Sequence, residues 1–226
     1  GTAAANALID VTLSDGTNTV IQQVTADNNG AWSLTGREVD VSSLADGSIT
    51  VEATATDEAG NTSPAGSATV TKDATAPVAP AIAAPIETDN VINAAEQTDV
   101  LLEGTTEPNS VVDVTFTDGD NNTVTAQVTA DGNGAWSLVG SEANLTGLVD
   151  GPITIEATAT DPVGNPSPLA STTVTKDALA PAAPTVDAPI EGDNLVNDAE
   201  QADVLVSGSA EPNSVVDVAF TDGTNT

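Results

Sequence analysis

Residues 51–82 read VEATATDEAGNTSPAGSATVTKDATAPVAPAI, and residues 155–186 read IEATATDPVGNPSPLASTTVTKDALAPAAPTV, 104 positions later. Trp32 returns at the same spacing as Trp136, and Lys72 returns as Lys176. Self-similarity at a long fixed period indicates one folding unit copied in series. The function must survive this duplication, which favours spacing, reach or multivalent contact over a single active site.

Short alternating runs bounded by turn residues predict strands within each copy. In the clearest run, Ile153 and Ile155 share one face while Thr154 lies on the other, as in a sheet with one wet face. The predicted strands are 98–104, 111–118, 123–130, 135–140, 152–161 and 168–177, after a Pro-interrupted edge segment near 81–86. Seven such strands, with no helix of normal length, predict an all-β chain of tandem immunoglobulin-like β-sandwich modules of about 104 residues.

The joints between copies are expected at TKDATAP (71–77) and TKDALAP (175–181), where a strand ends in Lys-Asp and Pro stops the ladder. Residues 74–177 then form a complete sandwich. Residues 1–73 form a sandwich that lacks its opening strands, and residues 178–226 hold the opening strands of a third. We expect the flanking pieces to be completed by neighbouring molecules or by a longer chain of which this one is a segment.

The composition is strongly acidic, with 34 Asp and Glu against three basic residues and a formal net charge of -31. Electrostatic repulsion therefore excludes nucleic acid and anionic membrane surfaces as partners. Hydrophobic residues make up 39% of the chain, in alternating β-branched runs, which favours folded strands over disorder. No apolar run approaches the ~20 residues of a membrane-spanning helix, so we expect no direct membrane insertion.

The core of each module is expected to be thin, because the chain has only two Trp and two Phe. Cysteine is absent, so disulfides cannot stabilise it. Acidic, oxygen-rich loops point instead to a hard divalent cation as the stabilising element.

Acidic and amide side chains gather in three groups near the expected joints. These groups are the turn 57–61 with its repeat 161–165, the linker aspartates Asp73 and Asp177, and the loop 89–96 with its repeat 193–200. Ca²⁺ takes six to eight oxygen ligands from carboxylates, amides and backbone carbonyls on flexible loops. If a turn, a linker aspartate and the loop of the next repeat meet in space, one ion would bridge two sandwiches and stiffen the joint.

Other acidic positions have a simpler interpretation as turn residues, because Asp and Asn tolerate left-handed geometry and cap their own backbone. This interpretation is favoured for the Asp-Gly pairs that begin at Asp15, Asp46, Asp118 and Asp150. It is also favoured over a second, peripheral metal site for 27–30 and 131–134.

The few aromatic and basic residues argue against sugar binding and catalysis as functions of the chain. A tryptophan at a strand start stacks on sugar in some proteins, but core or edge packing is the favoured interpretation for Trp32 and Trp136. Lys72 and Lys176 are expected to pair with local carboxylates. The chain has no His, Cys, Met or Tyr, so it lacks a nucleophile–base dyad and a transition-metal cluster. We expect neither catalysis nor a small-molecule substrate.

The runs ATATDEAGN, KDATAPVAPAI, DNVINAAE, ADGNGAWSL and LVDGPITIEATATD resemble the bacterial immunoglobulin-like repeats of giant, type I-secreted surface adhesins. That group includes biofilm-associated proteins, calcium-dependent adhesins of the repeats-in-toxin class and the extender region of the ice-binding adhesin. The resemblance implies β-sandwich modules that bind Ca²⁺ at and near their joints. It also implies a long rod outside the bacterial cell that projects a terminal ligand-binding domain.

The resemblance also implies metal-associated positions in both copies. They are Asp57, Asn61, Asp73, Asp89, Asn90, Asn93, Glu96 and Asp99, and then Asp161, Asn165, Asp177, Asp193, Asn194, Asn197, Glu200 and Asp203. The copies differ at two nearby positions, where Glu58 becomes Pro162 and Ala94 becomes Asp198. Those two positions contribute backbone oxygens at most.

The leading hypothesis is an extender, a calcium-rigidified array of sandwiches whose partners are the neighbouring repeats of the same chain. One alternative is a carbohydrate- or surface-binding module repeated for avidity. Another is a contact array that associates side by side between cells.

Overall fold

A computed structural model describes residues 1–222 of the protein, which contain twelve β-strands and two 3₁₀ turns of three residues each. The strands are β1 (Leu8–Ser14), β2 (Thr19–Thr25), β3 (Gly47–Thr56), β4 (Gly66–Lys72), β5 (Ala81–Ile82), β6 (Val91–Ile92), β7 (Glu103–Thr105), β8 (Val111–Thr117), β9 (Thr123–Thr129), β10 (Ala135–Ser137), β11 (Gly151–Thr160) and β12 (Ala170–Lys176). The 3₁₀ turns are Ile86–Thr88 and Ile190–Gly192.

The strands form three sheets. One sheet has the order β2-β1-β3-β4, a second has β10-β7-β5, and a third has β6-β12-β11-β8-β9. All pairings are antiparallel except that of β6 with β12. The second and third sheets share one core, to which Leu102 and Trp136 contribute from one side and Val112, Phe116 and Ile155 from the other. The predicted all-β, immunoglobulin-like sandwich is confirmed.

The alternation read from the sequence of β11 decides which face is buried. Ile153, Ile155 and Ala157 are fully buried, whereas Thr154 and Glu156 are half-buried on the wet face. Because successive side chains of a strand point to opposite faces, a shift of one residue would exchange these two sets.

One strand of residues 74–177 was not predicted. Val91–Ile92 pairs in parallel with the end of β12, and Ile92 is completely buried. The sequence signal was an apolar pair between Asn90 and Asn93, which we interpreted as part of a metal-binding loop. Two of the predicted strands are also shorter than expected. The strand predicted at 98–104 is observed at 103–105, and the one predicted at 135–140 is observed at 135–137.

A close approach between β7 and its neighbours requires glycine at position 104. A Cβ atom on Gly104 would lie 1.9 Å from the Ala81 carbonyl oxygen and 2.6 Å from the ring of Trp136. Trp136 packs over this glycine and is only 3% exposed. The packing interpretation of Trp136 is therefore confirmed, while Trp32 is half-buried against the core of residues 1–73.

Equivalent residues are buried to different extents in the three stretches. Val174 of β12 is 4% exposed, but its counterpart Val70 of β4 is 54% exposed, because no counterpart of β6 pairs with β4 within residues 1–222. Phe116 is fully buried, whereas its counterpart Phe220 is 58% exposed. The division of the chain at 73/74 and at 177/178 stays a prediction, and residues 223–226 of the last stretch lie outside the described residues.

Candidate metal centre

The turn 161–165 is organised by the carboxylate of Asp161, which is 5% exposed. Its Oδ1 accepts hydrogen bonds from the backbone N–H groups of Val163, Gly164 and Asn165 at 2.7–3.0 Å. Burial alone would raise the pKa of Asp161, but these bonds and one from the Asn165 side chain outweigh burial and hold the pKa below its usual value. The carboxylate is therefore charged at neutral pH and fixed in one orientation.

The side chain of Asn165 joins this turn to the linker that precedes the module. Its Nδ2 donates to Asp161 Oδ2 at 2.7 Å, to the Asp73 carbonyl oxygen at 3.2 Å and to the Thr75 carbonyl oxygen at 3.5 Å. One amide NH₂ group, whose hydrogens carry the partial positive charge, thus lies among three oxygens. Carboxylate and carbonyl oxygens are the ligands that Ca²⁺ prefers.

The same linker is bound to the preceding module through Asp46. Asp46 Oδ1 accepts from Lys72 Nζ at 2.5 Å, and its Oδ2 accepts from Thr75 Oγ1 at 2.6 Å. The hydrogen bond from Lys72, followed by that from Thr75, lowers the pKa of Asp46 to about 2. Thr75 therefore bonds both to Asp46 in the first copy of the repeat and to Asn165 in the second. In the next copy Lys176 pairs with Asp150 at 2.5 Å, so the expected pairing of both lysines with local carboxylates is confirmed.

Replacing Thr75 by leucine, the residue at the equivalent position 179, is expected to loosen this joint while leaving both sandwiches folded. The substitution removes the hydroxyl that donates to Asp46 but keeps the carbonyl that faces Asn165. We expect faster amide exchange and larger ¹⁵N relaxation amplitudes at residues 74–76, with a change in Tm of no more than a few degrees. Thr69→Leu, at an exposed position of β4 outside the joint, serves as the control. Unchanged linker dynamics in Thr75→Leu would contradict the role given to this hydroxyl.

The three acidic groups pair differently from our expectation. Strand β3 pairs with β4 so that Gly47 lies opposite Lys72, which places Asp57 and Asp73 at opposite ends of a ten-residue strand. Such a strand spans roughly 30 Å. Asp73 lies instead beside the turn of the following copy, through the contact of its carbonyl with Asn165. Sequence distance from the linker did not indicate at which end of the strand each group lies.

The loop 89–96 lies at the other end of residues 74–177, beside the second linker aspartate. The Asn90 carbonyl oxygen accepts from the Thr175 N–H at 3.1 Å, and the Ile92 carbonyl oxygen accepts from the Asp177 N–H at 3.0 Å. The expected meeting of this loop with a linker aspartate therefore occurs, but with Asp177 and not with Asp73. No joint within residues 1–222 contains all three groups.

The polar side chains of this loop also make local hydrogen bonds. Asp89 Oδ1 accepts from the Val91 N–H at 2.9 Å, and Asn93 Oδ1 accepts from the Ala95 N–H at 2.8 Å. Glu96 Oε2 accepts from the Asn93 N–H at 3.0 Å, which closes a reciprocal capping arrangement. These bonds fix the loop, and they leave each carboxylate further lone pairs for a cation.

Glu87 belongs to the same acidic cluster and was missed by the sequence interpretation. Its backbone has φ 48°, and its Oε1 accepts from the Leu101 N–H. Burial raises the pKa of Glu87, and the nearby carboxylates of Glu96, Asp99 and Asp89 raise it further. The signal was present, because PIETDN (85–90) returns as PIEGDN (189–194) and Glu191 makes the same bond to the Leu205 N–H.

The remaining sequence-predicted positions reproduce these local geometries in their own copies. Asn61 binds both oxygens of Asp57 as Asn165 binds those of Asp161, although no linker contacts the 57–61 turn in residues 1–222. In the third copy the local bonds involve Asp193, Asn194, Asn197, Glu200 and Asp203. Within residues 1–222, no three carboxylates are assembled as a metal site, so an ion would need amide and backbone oxygens as well. The donor chemistry, all of it oxygen, fits Ca²⁺.

The turn interpretation of the other acidic pairs agrees with the local geometry. Asp131 Oδ1 accepts from the backbone N–H groups of Asn133 and Ala135, and Asp27 makes the equivalent bonds in the first copy. Asp118 does more than turn the β8–β9 hairpin, because its Oδ2 also accepts from the distant Val149 N–H at 2.9 Å. Burial raises the pKa of Asp118, but hydrogen bonds from Asn122 and Val149 outweigh it and lower the pKa to about 2.

Replacing Asp118 by asparagine is expected to lower Tm by several degrees at pH 7 and to have little effect near pH 2. The folded-state pKa lies below the ordinary value of 3.8, so the stabilisation is present above about pH 4 and is lost as the pH falls toward 2. Thermal melts of the wild type and the variant between pH 2 and pH 7 measure this difference. Asp120→Asn, in the same hairpin, controls for the loss of one charge. A pH-independent difference would show that the ionised carboxylate is not the stabilising group.

None of the helical segments in residues 1–222 is long enough to cross a membrane. The sequence profile of the bacterial Ig-like domain family matches residues 1–74 and 82–178. A comparison with curated proteins found no match. Three of the solved structures that the chain resembles belong to adhesion proteins.

The first is the tetra-tandem repeat in the extending region of a large adhesion protein, with 35% identity over 93% of this chain and 50% of that one, at a TM-score of 0.42. The second is a Ca²⁺-stabilized adhesin that helps an Antarctic bacterium reach out and bind ice, with 31% identity over 93% and 51%, at a TM-score of 0.43. The third is a 1.5-MDa bacterial ice-binding adhesin, with 24% identity over 90% and 64%, at a TM-score of 0.36. The chain spans about half the length of the first two. With both copies of the repeat matched by one family profile and folded as β-sheets, the chain belongs to the bacterial Ig-like domain family.

Proposed function

We propose that this chain is an extender, a tandem array of sandwiches that Ca²⁺ rigidifies at the joints. Such an array holds a distal ligand-binding domain away from a bacterial cell. The observation that carries the proposal is the linker 73–75, which is bound to the preceding module through Asp46 and to the following module through Asn165. The two proteins with 35% and 31% identical sequences are an adhesin's extending region and a Ca²⁺-stabilized adhesin, which agrees with this role.

Ca²⁺ at the joint 73–77 would be held by Asp161, by the side-chain oxygen of Asn165 and by oxygens of Asp73 and Thr75. The amide nitrogen of Asn165 now lies among three of these oxygens, which supports the position as one that attracts positive charge. At the far end of the module, the corresponding ligands would come from the loop 89–96, from Glu87 and Asp99, and from the linker aspartate Asp177. An ion there would offset the repulsion between carboxylates that raises the pKa of Glu87.

The proposed array has module boundaries at 73/74 and 177/178, with neighbouring repeats of the same chain and calcium ions as its partners. Strand β11 has ten residues and so spans about 30 Å, which is roughly the length that each module adds to the rod. We place the array outside the bacterial cell, after export by type I secretion. Calcium sites of extracellular modules have dissociation constants of about 10⁻⁴ to 10⁻³ M, so such a chain would become rigid after export.

We propose no enzymatic activity for the chain. The sequence has no His, Cys or Tyr, and the carboxylates of Glu96 and Asp161 are engaged in a cap and a turn. A carbohydrate-binding module is disfavoured for a related reason. It would need an exposed aromatic platform, but Trp136 is 3% exposed beneath the sheet and Trp32 is half-buried.

Small-angle scattering of the chain in Ca²⁺, in Mg²⁺ and in a chelator tests the extender proposal. We expect a longer maximum dimension and a more rod-like profile in Ca²⁺ than in either other condition. Asn165→Ala should reduce this change. Asn61→Ala should leave it intact, because Asn61 sits in an equivalent turn without a linker contact. Identical profiles in all three solutions, together with no calorimetric signal for Ca²⁺ binding, would rule out the calcium-stiffened joint.

A further inference from the structure

Within residues 1–222, two outer strands to which no further strand is paired carry no charge, in a protein with a formal net charge of -31. Strand β9, with the sequence TVTAQVT, is the outer strand of the five-stranded sheet, and β2, with the sequence TVIQQVT, is the outer strand of the four-stranded sheet. Both strands have seven residues and contain no Asp, Glu, Lys, Arg, Pro or Gly. Natural proteins commonly protect a free edge with charged residues, Pro or a bulge, and these two edges have no such protection.

The hydrogen-bonding groups that β9 offers to solvent follow from its register. The Ala130 N–H donates to the Ser110 carbonyl, and the Asp118 N–H donates to the Asn122 carbonyl, so even-numbered residues of this hairpin point their backbone groups at β8. The odd-numbered residues therefore point theirs outward. These are Thr123, Thr125, Gln127 and Thr129, and all four are exposed. In β2 the same argument selects Thr19, Ile21, Gln23 and Thr25, which are also exposed.

Acidic residues near the two edges lie on the adjacent strands or at the hairpin ends. Asp113 of β8 accepts a hydrogen bond from Gln127 Nε2 at 2.6 Å, and Asp10 of β1 accepts one from Gln23 Nε2 at 2.5 Å. Gln127 of β9 and Gln23 of β2 therefore each cover the carboxylate on the adjacent strand, while Gln22 of β2 donates to the Gln23 carbonyl. The exposed side chains of the edges are otherwise threonines and Ile21, which is 61% exposed. Such a strand, rich in β-branched residues and free of charge, has the composition of segments that pair with their own copies.

We propose that β2 and β9 dock a second copy of this chain, edge to edge, by antiparallel strand pairing. The occupant is a second copy because an edge of this kind is self-complementary. In a two-fold arrangement the outward N–H and C=O groups of β9 meet the same groups of its mate, and threonine and glutamine side chains form matched cross-strand pairs. The neutral edge is also where two chains of the same sign repel each other least.

This docking requires that the long-range repulsion between two acidic chains be screened. Paired strands lie about 4.8 Å apart. The screening length is about 10 Å at 0.1 M salt and about 3 Å at 1 M salt, so repulsion opposes the contact in dilute buffer and is largely removed in concentrated salt. Because the edge recurs once per copy, two arrays side by side would pair at several points, and weak single contacts would add up.

Sedimentation velocity at increasing protein and NaCl concentrations, in chelator throughout, tests the proposal without any contribution from Ca²⁺. We expect monomers at low salt and a concentration-dependent shift toward dimers near 1 M NaCl. The double variant Ile21→Asp with Thr125→Asp should stay monomeric. The matched control is Ser43→Asp with Gly132→Asp, which adds the same two charges at exposed loop positions and should associate as the wild type does.

Amide hydrogen exchange locates the contact. On association, exchange should slow at the odd-numbered residues of β2 and β9 and stay unchanged at the even-numbered ones. A chain that remains monomeric at every salt concentration would overturn the proposal. So would association of the edge double variant to the same extent as the wild type, or protection that appears on other strands. None of these results bears on whether Ca²⁺ stiffens the joints, because chelator is present throughout.

Discussion

Removing Ca²⁺ is expected to lower the Tm of the protein by about 5–10 °C for each site that the ion occupies. An ion at tenfold excess over its dissociation constant, bound only to the folded state, stabilises that state by about 1.4 kcal/mol. In a domain of this size, 1 kcal/mol corresponds to a shift of roughly 4–8 °C. The acidic loops add to the effect, because without a cation the carboxylates around Glu87 repel one another.

Differential scanning calorimetry with Ca²⁺, with Mg²⁺ and with chelator at equal ionic strength measures this shift. Mg²⁺ is the informative control, because it demands near-octahedral geometry and gives up its water reluctantly. A shift produced equally by Mg²⁺ or by NaCl would indicate general screening of the acidic surface. Coincident melting curves in all conditions would show that Ca²⁺ does not stabilise the folded state.

Replacing Gly104 by alanine is expected to destabilise the sandwich of residues 74–177 by about 3 kcal/mol, the upper end of the cost of overpacking a core. The added Cβ would lie 1.9 Å from the Ala81 carbonyl oxygen, which belongs to the backbone of β5 and cannot rotate away as a side chain does. It would also lie 2.6 Å from the ring of Trp136. Either β5 or the tryptophan must move, and both hold the three-stranded sheet against the core.

Urea unfolding followed by tryptophan fluorescence measures this loss, in a Trp32→Phe background so that Trp136 alone reports. Gly132→Ala is the matched control, because nothing lies within 4 Å of the Cβ position at Gly132. That variant should be as stable as its background or slightly more stable, since alanine restricts the unfolded chain. Equal midpoints for the two alanine variants would show that the approach of β5 to β7 is not as close as the structure places it.

The surface of the protein offers two kinds of contact. The acidic joints suit contacts along the chain, and the neutral sheet edges suit contacts between chains. Along the chain, residues 73–75 bond to Asp46 in the first copy of the repeat and to Asn165 in the second, through polar groups that suit a cation. Across the chain, β2 and β9 present uncharged backbone edges. A divalent cation would act on both, by bridging oxygens at the joints and by reducing the net charge that keeps two chains apart.

The candidate site was only partly readable from the sequence. The residue types of the joints were evident, because Asp161, Asn165 and Asp73 recur with the repeat and lie at strand ends. Their pairing was not evident, because strand direction decides which end of a sandwich a residue occupies. Glu87 was overlooked for a similar reason, since its role depends on a backbone turn with φ 48° and on Leu101 fourteen positions away.

The repeat, the all-β class and the buried face of strands such as β11 follow from the amino-acid sequence. A period of 104 residues and an alternation of two are properties of the order of residues alone, as Ile153 and Ile155 show. Only the three-dimensional structure shows that Asp73 meets the turn 161–165, that Ile92 belongs to a buried strand and that β9 is an outermost strand of residues 1–222. These relations join residues up to 92 positions apart, and they depend on how sheets stack and which strands are left outermost, which no local pattern of side chains encodes.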